Sequence, residues 1–367
     1  MAFSMKVTPE IEEKFASTID QGMKIIGEYT ADLEKSGDKI LDGEKAFKLH
    51  DTYGFPIDLT KEIMEESGYT VDLNGFEAAM ERQKKRSQVE QEMEGAGWDE
   101  ATSDISLDGE TEFTGYDTMV QEGVVMAILN DDGPADFCGE GSVCRIVLDK
   151  TSFYAESGGQ IYDTGVMEND GFSADVTEVT KNHNVFIHKV KVTKGTVKKG
   201  DTVICKPDVP LRNMTAANHT ATHLLHQALK DVLGDHVKQA GSAVTSDGLR
   251  FDFNHFQAMT GEEIAEVEAI VNDKISRFID VTTKVMAIDD AMKEGATALF
   301  DEKYGDMVRI VSIGDYSKEF CGGTHLQNAG QVGAVKIISE TGIAAGVRRI
   351  EAITGIGLYD YIAEDDA

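Results

Sequence analysis

Residues 1–103 carry apolar residues at helical spacing, with polar residues at the positions between them. Positions i, i+3 and i+4 share one helix face, so this pattern predicts amphipathic helices. Four are predicted: residues 8–35, a second beginning near Asp42, a third ending at Glu66, and a charged fourth over 73–94. A glycine- and acid-rich segment, 94–100, ends the periodicity and is predicted to be a linker.

From residue 104 to 205 the pattern changes to short runs of apolar and β-branched residues, separated by glycine, Asp and Asn. The predicted strands are Val124–Leu129, Ser142–Leu148, Phe172–Val179 and Val185–Val192. Strands and turn residues that alternate regularly are typical of a small antiparallel β-barrel. A barrel is therefore predicted for this stretch.

Residues 206–367 mix the two patterns. A helix is predicted to end near Leu233, and a second over 260–278 begins with Thr260 and Glu263 in capping-box spacing. The predicted strands are Leu249–Phe253, Thr282–Met286, Met307–Ile313 and Val332–Glu340. Helices packed on one face of a mostly antiparallel sheet are expected. The predicted fold class is thus α+β: an N-terminal helical region, a small antiparallel barrel, then a two-layer α+β domain.

Two pairs of potential metal ligands stand out in this last part. His219 and His223 lie four residues apart on a predicted helix, so both imidazoles can reach one ion. Cys321 and His325 flank two glycines, which let the backbone turn tightly. Three imidazoles and one thiolate are ligands that Zn²⁺ takes in tetrahedral geometry, at ~2.0–2.3 Å, and one zinc ion per chain is predicted. His226 is expected either to orient a ligand or to pack against the core.

The formal net charge of −31 excludes broad, sequence-independent binding to nucleic acid, DNA included, because such binding needs a positive field. It does not exclude a local basic surface. Lys84, Lys85 and Arg86 form the best local candidate for a phosphate contact, and the alternative is an ordinary solvated surface.

No run of eighteen apolar residues and no signal-peptide core occur in the sequence, so no membrane span is expected. The four cysteines show no disulfide framework, and one of them, Cys321, is assigned to metal. These features predict a protein of the reducing cytoplasm.

Gly158 and Gly159 lie in a polar stretch, 153–160, within the predicted barrel. A glycine pair lets the backbone approach a ligand closely, but the residues by themselves favour an ordinary β-turn or bulge.

Taken together, the two ligand pairs resemble those of the editing domain of alanyl-tRNA synthetases. The resemblance extends over nearly the whole chain. It is carried by the stretches 51–56, 155–160, 212–219, 239–242, 249–253, 304–306 and 346–351.

The resemblance implies roles for further residues. Gln239 matches a family position beside the ester and is the candidate catalytic residue. The candidate substrate-binding residues are Ser242, Thr220, Thr324, Gly158, Gly159 and Gln160. Arg250, Arg348 and Arg349 join the basic triplet as candidate tRNA contacts.

The family's adenylate-forming domain and its C-terminal coiled-coil region have no counterpart in these residues. The chain is thus expected to be an internal part of a longer synthetase, with ATP used only by the full-length enzyme. It is expected not to aminoacylate, and any self-association would run through regions absent here.

The activity implied is hydrolysis of serine, and of glycine, wrongly esterified to alanine tRNA. A pocket shaped for alanine discriminates only about 10–200-fold against such neighbours, so a second site is needed. The role of zinc stays open: four protein ligands are typical of a structural site, whereas catalytic zinc keeps a position for water. The proton acceptor is either a water held by Gln239 or the tRNA's own terminal hydroxyl.

Two other classes of protein remain possible. A zinc-dependent peptidase or amidase is disfavoured, because no Glu stands between the two histidines. A noncatalytic RNA-binding module with structural zinc is the second.

Overall fold

Helices and strands of the computed structural model are described for residues 22–27, 29–31, 33–35, 37–53, 57–76, 78–80, 110–131, 133–297, 305–344 and 346–365. These residues belong to two units: residues 1–104 with 344–346, and residues 105–343 with 347–367. Within the described part of the chain, no helix is long and apolar enough to cross a membrane.

The first unit is helical, as predicted. It contains helix α1 (Gly43–Tyr53), helix α2 (Ile57–Glu66) and a parallel pair of two-residue strands, β1 (Ile40–Leu41) and β2 (Thr70–Val71). The carboxylate of Asp42 accepts a hydrogen bond from the Glu44 backbone N–H at 2.9 Å, which explains where α1 begins. Residues 22–35 and 73–80 are helical wherever described. The predicted basic triplet Lys84, Lys85 and Arg86 lies outside the described residues.

The first half of the second unit is a barrel, which confirms the prediction. Six antiparallel strands close into a ring in the order β4 (Gln121–Asn130), β7 (Val143–Leu148), β11 (Val185–Lys198), β10 (Phe172–Asn182), β9 (Gly165–Asn169) and β12 (Thr202–Pro207). Its alternating inward side chains, among them Ile146, Met167 and Phe172, are almost completely buried. The strands of this half are β3 (Glu112–Phe113), β4 (Gln121–Asn130), β5 (Gly133–Ala135), β6 (Phe137–Gly139), β7 (Val143–Leu148), β8 (Lys150–Thr151), β9 (Gly165–Asn169), β10 (Phe172–Asn182), β11 (Val185–Lys198) and β12 (Thr202–Pro207).

One expectation about the barrel is wrong. Cys138 and Cys144 form a disulfide, although the sequence was expected to contain none. The cysteines lie on the consecutive strands β6 and β7, which both pair with β11, and their Cα atoms are 6.6 Å apart. The six-residue spacing of the two cysteines in the sequence does not predict this pairing of strands. Because two of the four cysteines form a disulfide, the cysteines do not support the predicted cytoplasmic location.

The second half of this unit is a layered α+β structure with two antiparallel sheets, where a single sheet was expected. One has the strand order β13 (Gln239–Val244), β14 (Leu249–Asn254), β19 (Val347–Thr354), β18 (Val335–Ala344), and the other the order β15 (Val281–Ala287), β16 (Met307–Ile313), β17 (Ser317–Phe320). The elements are α3 (Val209–Leu233), β13 (Gln239–Val244), β14 (Leu249–Asn254), α4 (Gly261–Ser276), β15 (Val281–Ala287), α5 (Ile288–Lys293), β16 (Met307–Ile313), β17 (Ser317–Phe320), β18 (Val335–Ala344), β19 (Val347–Thr354) and α6 (Ile356–Asp365). Helices α3 and α4 pack on the first sheet around Leu224, Phe251, Phe253 and Val267.

Local signals placed most of these elements correctly. The capping box predicted for Thr260 and Glu263 is present at the start of α4. Strand β18 was predicted to begin at Val332 but begins at Val335. Residues 329–332 form a short 3₁₀ helix, because the Asn328 side chain accepts a hydrogen bond from the Gly330 N–H at 2.9 Å. The predicted division at residues 205 and 206 remains a prediction.

Candidate metal centre

Four side chains from distant parts of the chain meet beside helix α3. His219 and His223 lie one turn apart on this helix, and Cys321 and His325 lie in the loop that follows β17. One ligand atom from each residue can be chosen so that all four lie within 4.8 Å of one another. Cys321 Sγ is 3.4 Å from His219 Nε2 and 3.3 Å from His325 Nε2. The structure thus brings together the four residues predicted to bind zinc.

The positions of the two helical histidines follow from how α3 is capped. The Asp208 side chain accepts a hydrogen bond from the Leu211 N–H at 3.1 Å, and Gly234, with φ 113°, ends the helix after Leu233. Between these ends the helix is regular, so residues at i and i+4 share a face. The imidazole centroids of His219 and His223 are accordingly 5.4 Å apart.

Hydrogen bonds hold two imidazoles in the tautomer that a metal requires. Gln160 Oε1 accepts from the Thr324 backbone N–H at 2.8 Å and from His219 Nδ1 at 2.7 Å. The Thr220 hydroxyl donates to a backbone carbonyl at 2.8 Å, so it accepts from His325 Nδ1 at 3.2 Å. With Nδ1 protonated, the Nε2 lone pairs of His219 and His325 face Cys321 Sγ.

The electrostatics of the cluster favour neutral imidazoles. Burial, with a smaller contribution from His223, lowers the pKa of His219 to about 3. Burial likewise lowers the pKa of His223 and holds the pKa of His325 well below its usual value. Neutral imidazole is the form that binds a metal ion.

The cluster fits a zinc ion on two further observations. His223 Nδ1 is buried and has no hydrogen-bond partner, which costs stability unless another group satisfies it. The Gly323 N–H donates to Cys321 Sγ at 3.3 Å and stabilises a thiolate there. The donor set and these contacts are those of a tetrahedral Cys-His₃ site.

The loop that carries Cys321 is held by an arginine that the sequence did not indicate. Arg309 on β16 donates to the carbonyls of Cys321 and Gly323, at 2.7 and 3.0 Å. Its guanidinium lies 4.0 Å from the ring centroid of Tyr116, whose hydroxyl donates to the Gly322 carbonyl. Only the tertiary fold shows these contacts, because they join Arg309 to residues that are distant in sequence.

Gln160 reaches the cluster through the predicted glycine turn. Gly158 and Gly159 have φ of 59° and 80°, the left-handed values that such a turn requires. A Cβ on Gly159 would lie 2.5 Å from Ser242 Oγ, so only glycine lets the turn pack against β13. The Gly159 carbonyl accepts from the Val244 N–H at 2.7 Å. The turn explanation is therefore confirmed, and the partner that the backbone approaches in the structure is β13; a close approach to a ligand stays a prediction.

A cavity of about 260 Å³ opens beside the cluster. Gln239 and Ser242 line it, and the Gln239 amide donates to Ser242 Oγ at 3.2 Å. Thr220 and Thr324, by contrast, are among the residues that hold His325 and Gln160. The lining residues are Tyr154, Ser157, Gly158, His219, Thr222, His223, Gln239, Ser242, Met307, Val308, Arg309, Glu319, Phe320, Cys321, Gly322 and Gly323.

Glu319 also lines this cavity, and sequence reasoning did not single it out. Burial opposes its ionisation, but the neighbouring imidazoles of His223 and His226 and hydrogen bonds from His226 and Ser317 outweigh burial and lower its pKa to about 2. His226 is buried, contacts Glu319 at 3.3 Å and packs its ring on Phe251. It therefore lies beside the cluster and in the core at once.

The predicted tRNA-contacting arginines of the second unit all face carboxylates of the same chain. Arg349 donates twice to Asp252, at 2.7 and 2.9 Å, and Arg348 donates twice to Glu340, at 2.5 and 2.8 Å. The Arg250 guanidinium lies 3.6 Å from Asp252. A phosphate contact by any of them would therefore compete with an existing ion pair.

Comparison with known proteins agrees with this geometry. Residues 3–211, more than half of the chain, match the family model for class II (A) tRNA synthetases. Residues 308–351, which contain Cys321 and His325, match the second additional domain of threonyl and alanyl tRNA synthetases. The chain belongs to the alanyl-tRNA synthetase family.

Its relatives are similar over almost all of its length. The alanine--tRNA ligase of Alkaliphilus oremlandii is 48% identical over 96% of this chain and 41% of the relative. The Clostridioides difficile ligase is 48% identical over 100% of this chain and 42% of the relative. The Acetivibrio thermocellus ligase is 48% identical over 97% and 41%. The chain thus spans about two fifths of the length of these relatives.

Proposed function

We propose that the chain hydrolyses serine and glycine wrongly esterified to alanine tRNA, a proofreading activity. The observation that carries this proposal is the Cys-His₃ cluster, which opens into a cavity lined by hydroxyl and amide groups. The partner of the chain is mischarged alanine tRNA, and the chain is expected to act in the cytoplasm. Aminoacylation belongs, on this proposal, to the parts of the relatives that the chain does not span.

Discrimination between serine and alanine rests on one hydroxyl group. Ser242 and Thr222 line the cavity with hydroxyls, and Gln239 adds an amide. These groups can hydrogen-bond a serine hydroxyl, whereas the methyl group of alanine offers them no polar partner. Thr220 and Thr324 contribute indirectly on this proposal, because their hydroxyls hydrogen-bond His325 and Gln160.

The attacking water is oriented by Gln239 on this proposal. Glu319 is the carboxylate among the lining residues, but with a pKa of about 2 it is a weak proton acceptor at neutral pH. The tRNA's terminal hydroxyl therefore remains the candidate acceptor. Zinc, when bound, would supply a positive charge that polarises or orients the substrate.

A noncatalytic tRNA-binding module with a structural zinc is the second candidate. The observation favouring it is the closed set of four protein ligands, which leaves no position for water in tetrahedral geometry.

The decisive experiment compares three substrates. We expect single-turnover hydrolysis of Ser-tRNA to be up to ~10⁴-fold faster than that of Ala-tRNA, because only the hydroxyl distinguishes them. Gly-tRNA should be intermediate, since neither its size nor a polar clash excludes it. Equal rates on Ser-tRNA and Ala-tRNA at the same salt concentration would rule out editing, and no hydrolysis of either would leave the structural-zinc alternative.

A second prediction concerns Gln239. Gln239→Met keeps the side-chain length but removes the amide, and we expect it to lower kcat/KM for Ser-tRNA by about 10²-fold, as for other positioned hydrogen-bonding groups. Gln227→Met is the matched control, because Gln227 is partly exposed, does not line the cavity and donates to Asp231 instead. Zinc content and Tm should be unchanged in both variants. If Gln239→Met hydrolyses Ser-tRNA as fast as Gln227→Met does, Gln239 takes no part in the reaction.

A further inference from the structure

A second cavity, of about 330 Å³, lies directly beside the first. The two cavities share Tyr154, Ser157 and Gly322 in their linings. Tyr116 lines the second cavity, and its hydroxyl donates to the Gly322 carbonyl. Both cavities therefore border the metal-binding loop. The volume of the second lies within the range of small-molecule sites, roughly 300–1,000 Å³.

Aromatic rings form much of the wall of this second cavity. Phe113 stacks on Phe186, with centroids 5.5 Å apart and planes 7° apart. Tyr116 meets Phe113 edge-on at 4.8 Å, and Tyr154 meets it at 6.0 Å. These four rings come from three segments of the chain and contact one another, so their surfaces are held in place before any ligand arrives.

The rim of the cavity is polar and carries both charges. The Lys181 ammonium lies 5.4 Å from the Phe186 ring centroid. Asn184 donates to a Glu110 carboxylate oxygen at 3.0 Å, and both residues line the cavity. The rim thus offers a cation for a phosphate and an amide and carboxylate for the edge of a heterocycle.

We propose that this second cavity binds a nucleobase from the single-stranded 3′ end of tRNA, an inference that rests on the proposed function. Proteins hold single-stranded RNA by stacking bases on aromatic side chains and by neutralising phosphates with Lys or Arg. The aromatic wall takes the base and Lys181 faces the backbone phosphate. The shared border places the base next to the cavity that receives the aminoacyl ester. Binding here accounts for RNA recognition by a chain of net charge −31, because it needs one local cation and not a broad positive surface.

The test uses uncharged RNA, so it does not depend on hydrolysis. Two fluorescent hairpins with the acceptor-stem sequence of alanine tRNA are compared by anisotropy, one with its unpaired 3′ nucleotides and one blunt-ended. We expect the native chain to bind the first at least fivefold more tightly, since each stacked base contributes measurably to affinity. In Phe113→Leu this ratio should fall to about one or two. Lys181→Ala should weaken binding to the hairpin with unpaired nucleotides and reduce its log–log salt slope by about 0.7.

Matched controls separate the cavity from the rest of the barrel. Phe137→Leu changes an exposed barrel phenylalanine, and Lys194→Ala an exposed barrel lysine, and neither residue lines the cavity. Both should bind the hairpins as the native chain does. Tm is measured for every variant, and Lys181→Ala, at an exposed position, remains informative if Phe113→Leu unfolds.

The two proposals fail in different ways. A native chain that does not distinguish the two hairpins, or cavity variants that keep the native ratio and salt slope, would overturn the nucleobase site. In that case hydrolysis of Ser-tRNA with a native KM in the variants would leave the editing proposal standing. A preserved hairpin preference in a chain that hydrolyses no mischarged tRNA would overturn editing and leave the nucleobase site intact.

Discussion

Gly323→Ala should remove zinc from the chain, whereas Gly322→Ala should leave the zinc content unchanged. A Cβ on Gly323 would lie 2.0 Å from His219 Cε1 and 2.8 Å from Gln160 Oε1. His219 cannot turn away without losing its hydrogen bond to Gln160, and both side chains are buried. A Cβ on Gly322 would meet no heavy atom within 4 Å. Neither glycine has a left-handed φ, so the comparison isolates the steric effect.

The measurement is zinc per chain after purification without added metal. We expect close to one equivalent in the native chain and in Gly322→Ala. Gly323→Ala should resemble Cys321→Ala, with an affinity for zinc at least 10–100-fold lower, as when groups that orient metal ligands are lost. Hydrolysis of Ser-tRNA should fall with it. Full zinc content in Gly323→Ala, or in a Cys321→Ala, His325→Ala double variant, would contradict the assignment of the ligands.

Arg212→Met should destabilise the second unit by about 3–5 kcal/mol, because it leaves the Asp163 carboxylate buried without its partner. Arg212 is 2% exposed and Asp163 7%. The guanidinium donates twice to Asp163 and also to the carbonyls of Gly115 and Ser152, both at 2.8 Å. Because Arg212 lies in the first turn of helix α3 and Asp163 lies in the barrel half, this pair connects the metal-bearing helix to the barrel.

The control is an exposed ion pair of the same unit. Arg277 contacts Asp273 at 2.9 Å, with 60% and 47% of the side chains exposed. Such a pair contributes about 0–1 kcal/mol, so Arg277→Met should hardly change the urea midpoint. The two variants are compared by circular dichroism during urea unfolding. Equal midpoints would show that burial of the Arg212 pair adds nothing to stability.

Local sequence patterns predicted the four side chains of the metal centre but not the contacts that hold them. The i,i+4 histidines and the Cys-Gly-Gly-Thr-His segment were sufficient to name four residues that the structure brings within 4.8 Å of one another. They could not show that Gln160, from the barrel half, fixes the tautomer of His219, or that Arg309 holds the loop of Cys321. Those contacts join residues far apart in sequence, and no local spacing records them.

The sequence by itself determined the order and type of most elements, the closed barrel and the identity of the clustered ligands. It could do so because helix periodicity, strand alternation and capping depend on residues within one turn or one strand. Only the tertiary structure decided which strands pair, so the α+β half has two sheets, and Cys138 meets Cys144 across β6 and β7. It alone placed the predicted arginines opposite carboxylates and set an aromatic cavity beside the metal loop. Such contacts arise when separate segments pack together and exclude water, and this is a property of the folded chain as a whole.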